Sequence, residues 1–226
     1  MIPAYNEASA IGAVVKEVKT TFTDAGYSPE IVVIDDGSKD TTAHVAKESG
    51  ATVISHILNS GAGGATATGL RYAEINKFDV AATLDADGQH LPSDLLIGLS
   101  RIQKSGSDLL IGSRLINSKG MSKVKVIGNR GLTLITRILF GISVTDSQSG
   151  LRIFSKKALK TLRWKTNGYE FCSEMLWRAN QLGLKVEEFP IKAMYSDYSN
   201  SKGQNNWNGV NIVKSLVKRR IGELLG

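Results

Sequence analysis

The sequence predicts an α/β fold, with a Rossmann-like, mostly parallel central sheet and helices on both faces. Apolar segments of strand length alternate with segments whose apolar residues recur at helical spacing. Such alternation is typical of a parallel sheet covered by helices. Polar and acidic residues follow most predicted strands, at the edge where such sheets bind ligands. At 226 residues, with no evident linker, the chain is expected to form one domain, residues 1–226.

The regular alternation occupies the first half of the chain. Residues 2–7 are interpreted as the end of a strand and a turn into a helix, and this first strand is expected to be truncated. The pattern then predicts four helices, at residues 7–22, 40–49, up to about 76, and 92–104. It also predicts strands at residues 31–34, 52–54, 80–84 and 108–112.

After residue 114 the spacing becomes less regular. A basic polar loop is expected at residues 119–125, followed by a strongly apolar segment, 126–142, that three polar residues interrupt. The pattern then predicts a polar turn at 146–152, a strand at 151–154, a helix at 171–182 and a strand at 186–191. A flexible polar segment at 195–208 and an amphipathic helix at 210–225 are expected to follow.

Composition restricts the class of partner and the compartment. The formal net charge is +7 and the isoelectric point is near 9.4, which favours a polyanionic partner such as nucleotide phosphates, nucleic acid or an anionic membrane. A soluble protein that is simply basic is the alternative. The single cysteine, Cys172, excludes an intrachain disulfide and indicates a reducing, cytoplasmic compartment. No stretch reaches the roughly 18–20 apolar residues of a spanning helix, and no signal peptide is evident.

The segment Asp85-Ala86-Asp87-Gly88-Gln89-His90 carries the strongest chemical signal. Two carboxylates one residue apart at a strand end repel each other unless a cation lies between them. In an extended segment Asp85, Asp87 and Gln89 point the same way and offer the oxygen ligands that Mg²⁺ or Mn²⁺ prefers. The sequence therefore predicts a metal site that binds a diphosphate. The alternative is an acidic turn that caps the next helix.

Two further polar segments follow predicted strands. Asp36, in Asp35-Asp36-Gly37-Ser38, is placed to accept hydrogen bonds from a base or ribose, or to cap the following helix. The segment that runs from Asn59 to Gly64 resembles a phosphate cradle, although it lacks the spacing of known phosphate loops.

These motifs, together with Ile2-Pro3-Ala4-Tyr5-Asn6-Glu7, resemble in type and order those of the family 2 glycosyltransferases. Gly112-Ser113-Arg114, residues 146–152 and Ser201-Lys202 are similar to the dolichyl-phosphate mannose/glucose synthase-like branch. The resemblance implies an enzyme with a GT-A fold that transfers a sugar, with inversion, from a nucleotide-diphosphate sugar. It also implies a donor-binding half, residues 1–112, and an acceptor-binding half, residues 113–226.

The resemblance also implies individual roles. The residues expected to contact the nucleoside are Pro3, Tyr5, Glu7, Ile34 and Asp36. The metal ligands would be Asp85, Asp87 and Gln89, with Ala86 beside the diphosphate and Asn59 also at the substrate. Arg114 and Lys202 would contact phosphate. Three positions differ from the usual family pattern: Ala62 stands where a lysine is usual, and Lys125 and Ser196 each stand where an arginine is usual. The identities of the sugar donor and of the acceptor therefore stay open.

The acceptor decides which residues are catalytic. A polyprenyl phosphate is largely a dianion at neutral pH and needs no general base, only cations to hold it, for which Arg114, Lys123, Lys125 and Arg152 are candidates. A sugar hydroxyl or other glycan acceptor requires a base, for which Asp146 is the candidate. The predicted catalytic residues are thus Asp87, Arg114 and Asp146. For Arg152 the alternative is a structural ion pair.

Segments 126–142 and 210–225 bear on membrane contact. Basic helices with an apolar face bind membrane surfaces, so peripheral attachment to the cytoplasmic face is expected, unless these helices only pack on their own domain. A different class, a non-catalytic nucleotide- or nucleic-acid-binding domain, leaves the Asp85–Gln89 cluster unexplained. It also lacks the interleaved aromatic residues of single-strand binders, so no nucleic acid partner is expected.

Overall fold

The computed structural model describes residues 1–118, 121–192, 194, 213–214 and 216–217. Strands and helices alternate through most of this part of the chain. In chain order the elements are β1 (Ile2–Ala4), α1 (Ile11–Asp24), β2 (Val32–Asp35), α2 (Thr42–Glu48), β3 (Thr52–Ser55), α3 (Ala62–Ile75), β4 (Val80–Thr83), α4 (Pro92–Ser105), β5 (Leu109–Ser113), α5 (Lys123–Phe140), β6 (Arg152–Ser155), α6 (Lys156–Thr161), α7 (Phe171–Gln181) and β7 (Val186–Pro190).

The strands form two hydrogen-bonded groups that meet edge to edge. Strands β1, β2 and β3 are parallel neighbours, and the second group has the order β4-β6-β5-β7. Backbone bonds from Met1 N to Ala82 O (2.8 Å) and from Leu84 N to Met1 O (3.3 Å) join the groups beside β1. Strand β6 runs antiparallel to β4 and β5, whereas β5 and β7 are parallel. The mostly parallel sheet predicted from the sequence is confirmed.

Helices cover both faces of this sheet, because successive side chains of a strand point to opposite sides. Leu109 and Ile111 pack with α3, α5, α6 and α7, whereas Leu110 packs with α1 and α4. Strand β2 is buried at all four positions, as was predicted for its three apolar residues; the fourth, Asp35, is also buried.

Several boundaries differ from the sequence prediction. Helix α5 begins at Lys123, inside the expected loop, because the Ser122 hydroxyl accepts a bond from Lys125 N (3.3 Å) and caps it. It ends at Gly141, whose φ of 69° favours glycine. Helix α6 was not predicted, because six residues carry too little periodicity to detect. Of the predicted tail helix, residues 213–214 and 216–217 are helical, and Leu216 packs in the core beside α5 and α7.

The segment 195–208 and most of the tail lie outside the described residues. Among the residues that are described, none of the helices combines the length and the apolar character needed to cross a bilayer.

Candidate active site

A cleft of about 820 Å³ opens at the carboxyl ends of β1, β2 and β4. Its volume falls within the roughly 300–1,000 Å³ of small-molecule sites. The parallel strands end at one sheet edge, so the polar residues that follow them meet there. The predicted site residues that line the cleft are Pro3, Tyr5, Glu7, Asp36, Asn59, Asp85, Ala86, Asp87, Gln89, Arg114, Lys125 and Arg152.

Three predicted residues lie elsewhere. Ile34 is fully buried within β2, where it packs against Val32 and Ala65 behind the cleft. Asp146 is fully buried and does not line the cleft. Lys202 lies outside the described residues.

The acidic motif, which consists of Asp85, Asp87 and Gln89, lies in a tight turn after β4. Gly88 has a φ of 75°, and Gln89 N donates to Asp87 Oδ1 (3.0 Å). The Gln89 side-chain nitrogen donates to Asp87 Oδ2 (2.7 Å), while His90 Nε2 lies 2.9 Å from Asp85 Oδ2. The Asp85 side chain is 48% exposed, so it is accessible from the cleft.

The two carboxylates differ in electrostatic environment. Desolvation acts to raise the pKa of Asp85, but its interactions with His90 and with the guanidinium groups of Arg114 and Arg152 outweigh it and hold that pKa below the ordinary value. Burial raises the pKa of Asp87, and Asp85 and Glu7 raise it further against the opposing bond from Gln89 N. A divalent cation beside these carboxylates would remove the repulsion that Asp87 experiences.

The donor set fits a hard divalent cation. Asp85 and Asp87 supply carboxylate oxygens, and Gln89 would supply an amide oxygen after its amide turns away from the Asp87 carboxylate. Within the described ranges no three His, Cys, Asp or Glu side chains form a metal-binding group. Asp85, Asp87 and Gln89 would supply three oxygen ligands, and water or phosphate oxygens would supply the others. That balance suits Mg²⁺ or Mn²⁺, which commonly keep such ligands.

Asp36 organises the glycine-rich segment after β3. Its Oδ1 accepts from Ser60 N (2.8 Å) and the Ser60 hydroxyl (2.6 Å), and its Oδ2 accepts from Gly61 N (2.7 Å). His56 Nδ1 lies 2.7 Å from the same Oδ1. A carboxylate bonded in this way fixes the loop, so a nucleoside contact would come in addition to this structural task.

The glycines of this loop allow another segment to approach closely. Gly63 N donates to Asn167 O (2.7 Å), and a Cβ at Gly63 would lie 2.8 Å from Phe171 Cβ. The buried Glu174 carboxylate accepts from Lys165 N (3.1 Å) and Thr166 N (2.9 Å) and so holds the approaching segment. The glycine pattern therefore reflects packing as well as any phosphate binding.

Arg114 and Asp146 form a bidentate ion pair below the cleft. Arg114 Nε donates to Asp146 Oδ2 (2.8 Å), and Nη2 donates to Oδ1 (2.9 Å). Burial acts to raise the pKa of Asp146, but Arg114 outweighs it and lowers that pKa. With both oxygens bonded and no exposed surface, Asp146 holds Arg114 in place. This geometry does not favour the predicted role of Asp146 as a general base.

Arg152 is a buried cation at the cleft wall. Its Nε donates to Ser149 O (3.0 Å), its Nη2 to Ser147 O (2.8 Å), and its Nη1 lies 2.9 Å from Met175 Sδ. In the described part of the chain no carboxylate pairs with it, so the alternative of a structural ion pair is not observed. Lys125, in the first turn of α5, adds a third cation; burial lowers its pKa, although Asp87 opposes that shift.

Several lining residues were missed from the sequence. Gln148 and Gly150 lie in the polar turn at 146–152, which was noted without assigning them roles. Tyr169 lies in a segment that carried no signal at all. Burial raises its pKa, and Asp85, Asp87 and Glu7 add to the shift, which reports that the phenol lies near the acidic motif.

A mostly parallel sheet with an acidic motif in the cleft at its strand ends is what the sequence analysis expects of a GT-A glycosyltransferase. Within that class the chain belongs to glycosyl transferase family 2, whose model matches residues 1–163. The chain is therefore a glycosyltransferase, and the family, fold and enzyme class predicted from the sequence are confirmed.

Two curated relatives and one solved structure are similar to this chain. The UDP-N-acetylglucosamine–dolichyl-phosphate N-acetylglucosaminyltransferase of Methanococcus voltae is 39% identical and aligns over 100% of this chain and 96% of its own length. The undecaprenyl-phosphate mannosyltransferase of Micrococcus luteus is 29% identical and aligns over 89% of this chain and 85% of its own length. The solved structure is glucosyl-3-phosphoglycerate synthase from Mycobacterium tuberculosis in complex with Mn²⁺, UDP-glucose and phosphoglyceric acid. It aligns with a TM-score of 0.71 and 22% identity, and the alignment covers 98% of this chain and 78% of the synthase chain. This last likeness supports the fold.

Proposed function

We propose that the protein is a metal-dependent, inverting glycosyltransferase that moves a sugar from a UDP- or GDP-sugar to a polyprenyl phosphate at the cytoplasmic face of a membrane. The observation that carries the proposal is that one cleft holds the acidic motif and three cations, Arg114, Lys125 and Arg152. A polyprenyl or dolichyl phosphate also stands in the names of the two curated relatives.

The donor occupies the half of the cleft formed by residues 1–112. Asp85, Asp87 and Gln89 would hold Mg²⁺ or Mn²⁺, which would supply the positive charge that stabilises the departing nucleoside diphosphate. Pro3, Tyr5 and the other lining residues that follow β1 and β2 flank the nucleoside. The Mn²⁺ and UDP-glucose present with the mycobacterial synthase support this assignment.

The acceptor enters the half formed by residues 113–226. A phosphate oxygen attacks the anomeric carbon and forms the new C–O bond, while the bond to the diphosphate breaks and its electron pair leaves with the diphosphate. Attack from the face opposite the leaving group inverts the configuration. Three cations hold the acceptor phosphate close to a diphosphate that would otherwise repel it.

The Arg114–Asp146 pair supports a phosphate acceptor. A hydroxyl acceptor would need a base, and the carboxylate that the sequence offered for this task, Asp146, is committed to Arg114. A hydroxyl acceptor would then need another carboxylate of the cleft as its base, and Asp87, whose pKa is raised by burial and by Asp85, is one candidate. We rank that alternative second.

The outward face of α5 supports the proposed membrane contact. Four large apolar side chains are well exposed on this helix: Val124 (70%), Ile127 (71%), Leu134 (55%) and Ile138 (72%). Its four charged residues are all basic, at Lys123, Lys125, Arg130 and Arg137. An apolar face with basic flanks suits the surface of an anionic bilayer. The same helix lines the cleft with Lys125, Asn129 and Leu132, so docking would bring the cleft close to lipid head groups.

A donor and acceptor panel tests the proposal. The protein is incubated with Mn²⁺ and each nucleotide sugar, with polyprenyl phosphate, with a glycan, or with neither, and nucleoside diphosphate release is followed. Release stimulated by the lipid phosphate is expected. Stimulation by the glycan alone would support the alternative of a hydroxyl acceptor. No turnover with any nucleotide sugar would overturn the proposal that the protein uses a UDP- or GDP-sugar as its donor.

Variants in the same assay test the role of the acidic motif. Asp87→Ala is expected to lose activity, whereas the matched control Asp79→Ala removes an exposed carboxylate paired with Lys156 and should retain it. An Asp87→Ala variant as active as the parent would exclude the metal site described above.

A further inference from the structure

His90 is buried beside the acidic motif and makes one hydrogen bond with it. The His90 side chain is 1% exposed, and its Nε2 lies 2.9 Å from Asp85 Oδ2. Nδ1 has no partner among the described residues. A proton on Nδ1 would be buried without an acceptor, so the geometry assigns the proton to Nε2, which donates to the carboxylate. His90 thus directs its single ring hydrogen bond at Asp85.

The segment that carries His90 makes two further hydrogen bonds, one through the backbone of Gln89 and one through the side chain of Asp94. Gln89 O accepts a hydrogen bond from Met194 N (2.9 Å), and Asp94 Oδ2 accepts from Lys192 N (3.2 Å). The segment after β7 therefore fixes the turn from which the imidazole projects. A donor on a fixed backbone defines one position for its acceptor.

Gly150 closes the other side of Asp85. A Cβ added at Gly150 would overlap both carboxylate oxygens of Asp85, so a side chain at this position would displace the carboxylate from the place it occupies. The Thr83 hydroxyl donates to Gly150 O (2.8 Å) and ties this glycine to the end of β4. Asp85 therefore lies between an imidazole donor and a backbone without a side chain.

We propose that His90 and Gly150 are positioning residues that hold the Asp85 carboxylate in the orientation that binds the divalent cation. This inference rests on the proposed metal site. His90 donates to Oδ2 and leaves Oδ1 without that bond, so Oδ1 would be available to a cation, while the lack of a side chain at Gly150 leaves room for the carboxylate in this place. A free aspartate side chain samples several rotamers, so fixing it before binding lowers the entropic cost of coordination. Loss of such outer hydrogen bonds costs about 10- to 100-fold in metal affinity.

The test compares Mn²⁺ affinity, measured by electron paramagnetic resonance with Mn²⁺ alone, across four proteins. His90→Leu removes the donor and is expected to weaken binding about 10- to 100-fold. His90→Gln places an amide nitrogen at the position of Nε2 and is expected to bind as the parent does. His44→Leu, a matched change at an exposed histidine paired with Glu48, is expected to have no effect.

The outcomes separate positioning from packing. Thermal unfolding of each metal-free variant shows whether the protein is folded. If His90→Leu does not fold, His90→Gln is compared with His90→Asn, whose amide reaches only the position of Nδ1. Tight Mn²⁺ binding by His90→Gln together with weak binding by His90→Asn supports the proposal, and equal Mn²⁺ affinity of these two variants overturns it. His90→Leu that folds and binds Mn²⁺ like the parent also overturns it. A parent protein that does not bind Mn²⁺ would instead remove the metal site itself.

Discussion

Arg114 and Asp146 are bound to each other through two parallel hydrogen bonds, from Nε to Oδ2 (2.8 Å) and from Nη2 to Oδ1 (2.9 Å). Arg114 N adds a third bond to Oδ2 (3.1 Å). The fork of the guanidinium matches the carboxylate, so the pair fixes direction as well as charge. A cation at the cleft wall is thereby held by a carboxylate beneath it.

Removing the buried partner is expected to be costly. Asp146→Ala removes the buried carboxylate that pairs with the Arg114 guanidinium, whose side chain is 12% exposed. Breaking a buried pair in this way costs about 3 kcal/mol or more, so the denaturation midpoint should fall. Asp79→Ala, at an exposed pair, should leave the midpoint unchanged in the same denaturant titration. Equal midpoints for parent and Asp146→Ala would show that the pair contributes nothing to stability.

The same pair predicts a pH dependence of stability. The pKa of Asp146 in the folded state lies below the ordinary value of 3.8, because Arg114 outweighs the effect of burial. The stabilisation is therefore fully present above that ordinary value and is lost as the pH falls through the lower, folded-state pKa. The unfolding free energy of the parent minus that of Asp146→Asn should stay constant above about pH 5 and shrink in stronger acid. A difference that grows on acidification would contradict the assignment.

Arg152 is expected to act on the acceptor. Arg152→Gln removes the charge but keeps donors that face the carbonyls of Ser147 and Ser149. Charged hydrogen bonds contribute about 1.5–3 kcal/mol, so the KM for polyprenyl phosphate should rise by about 10- to 100-fold. Binding of the nucleotide alone, measured by calorimetry, should change little.

The matched control for Arg152 is Arg163→Gln, an arginine that pairs with Glu74 away from the cleft. It should leave the KM for the lipid unchanged. An Arg152→Gln variant with the KM of the parent would remove Arg152 from the acceptor site.

The outward face of α5 predicts binding to anionic vesicles. The double variant Ile127→Glu/Ile138→Glu places two negative charges where apolar side chains are 71% and 72% exposed. It should lose cosedimentation with anionic vesicles yet transfer sugar normally to a short, water-soluble polyprenyl phosphate. Ile75→Glu, on α3 with 60% exposure, is the control and should bind vesicles as the parent does. Unchanged sedimentation of the double variant would show that α5 is not the membrane surface.

The sequence predicted those parts of the site that depend on local pattern. Asp36 follows β2 directly and Asp85 follows β4 closely, so strand prediction and the geometry of parallel sheets brought them to one edge. Arg114 and Asp146 are 32 positions apart with α5 between them, so chain order alone does not show that they pair.

Other features depend on contacts between distant segments. The closeness of Gly150 to Asp85 and the position of Tyr169 in the cleft follow from packing that no local spacing encodes. For Ile34 the local pattern was the better guide. Its place in an apolar strand indicated that it belongs to the core, where it lies, and not to the nucleoside site.

The most direct test of the proposed function is sugar transfer to a short, water-soluble polyprenyl phosphate, followed by nuclear magnetic resonance of the product with Mn²⁺ and with a chelator. The proposal predicts transfer only with the metal, to the phosphate oxygen, with the anomeric configuration opposite to that of the donor. Transfer that persists in the chelator, retention of configuration, or a sugar that passes only to hydroxyl acceptors would contradict it.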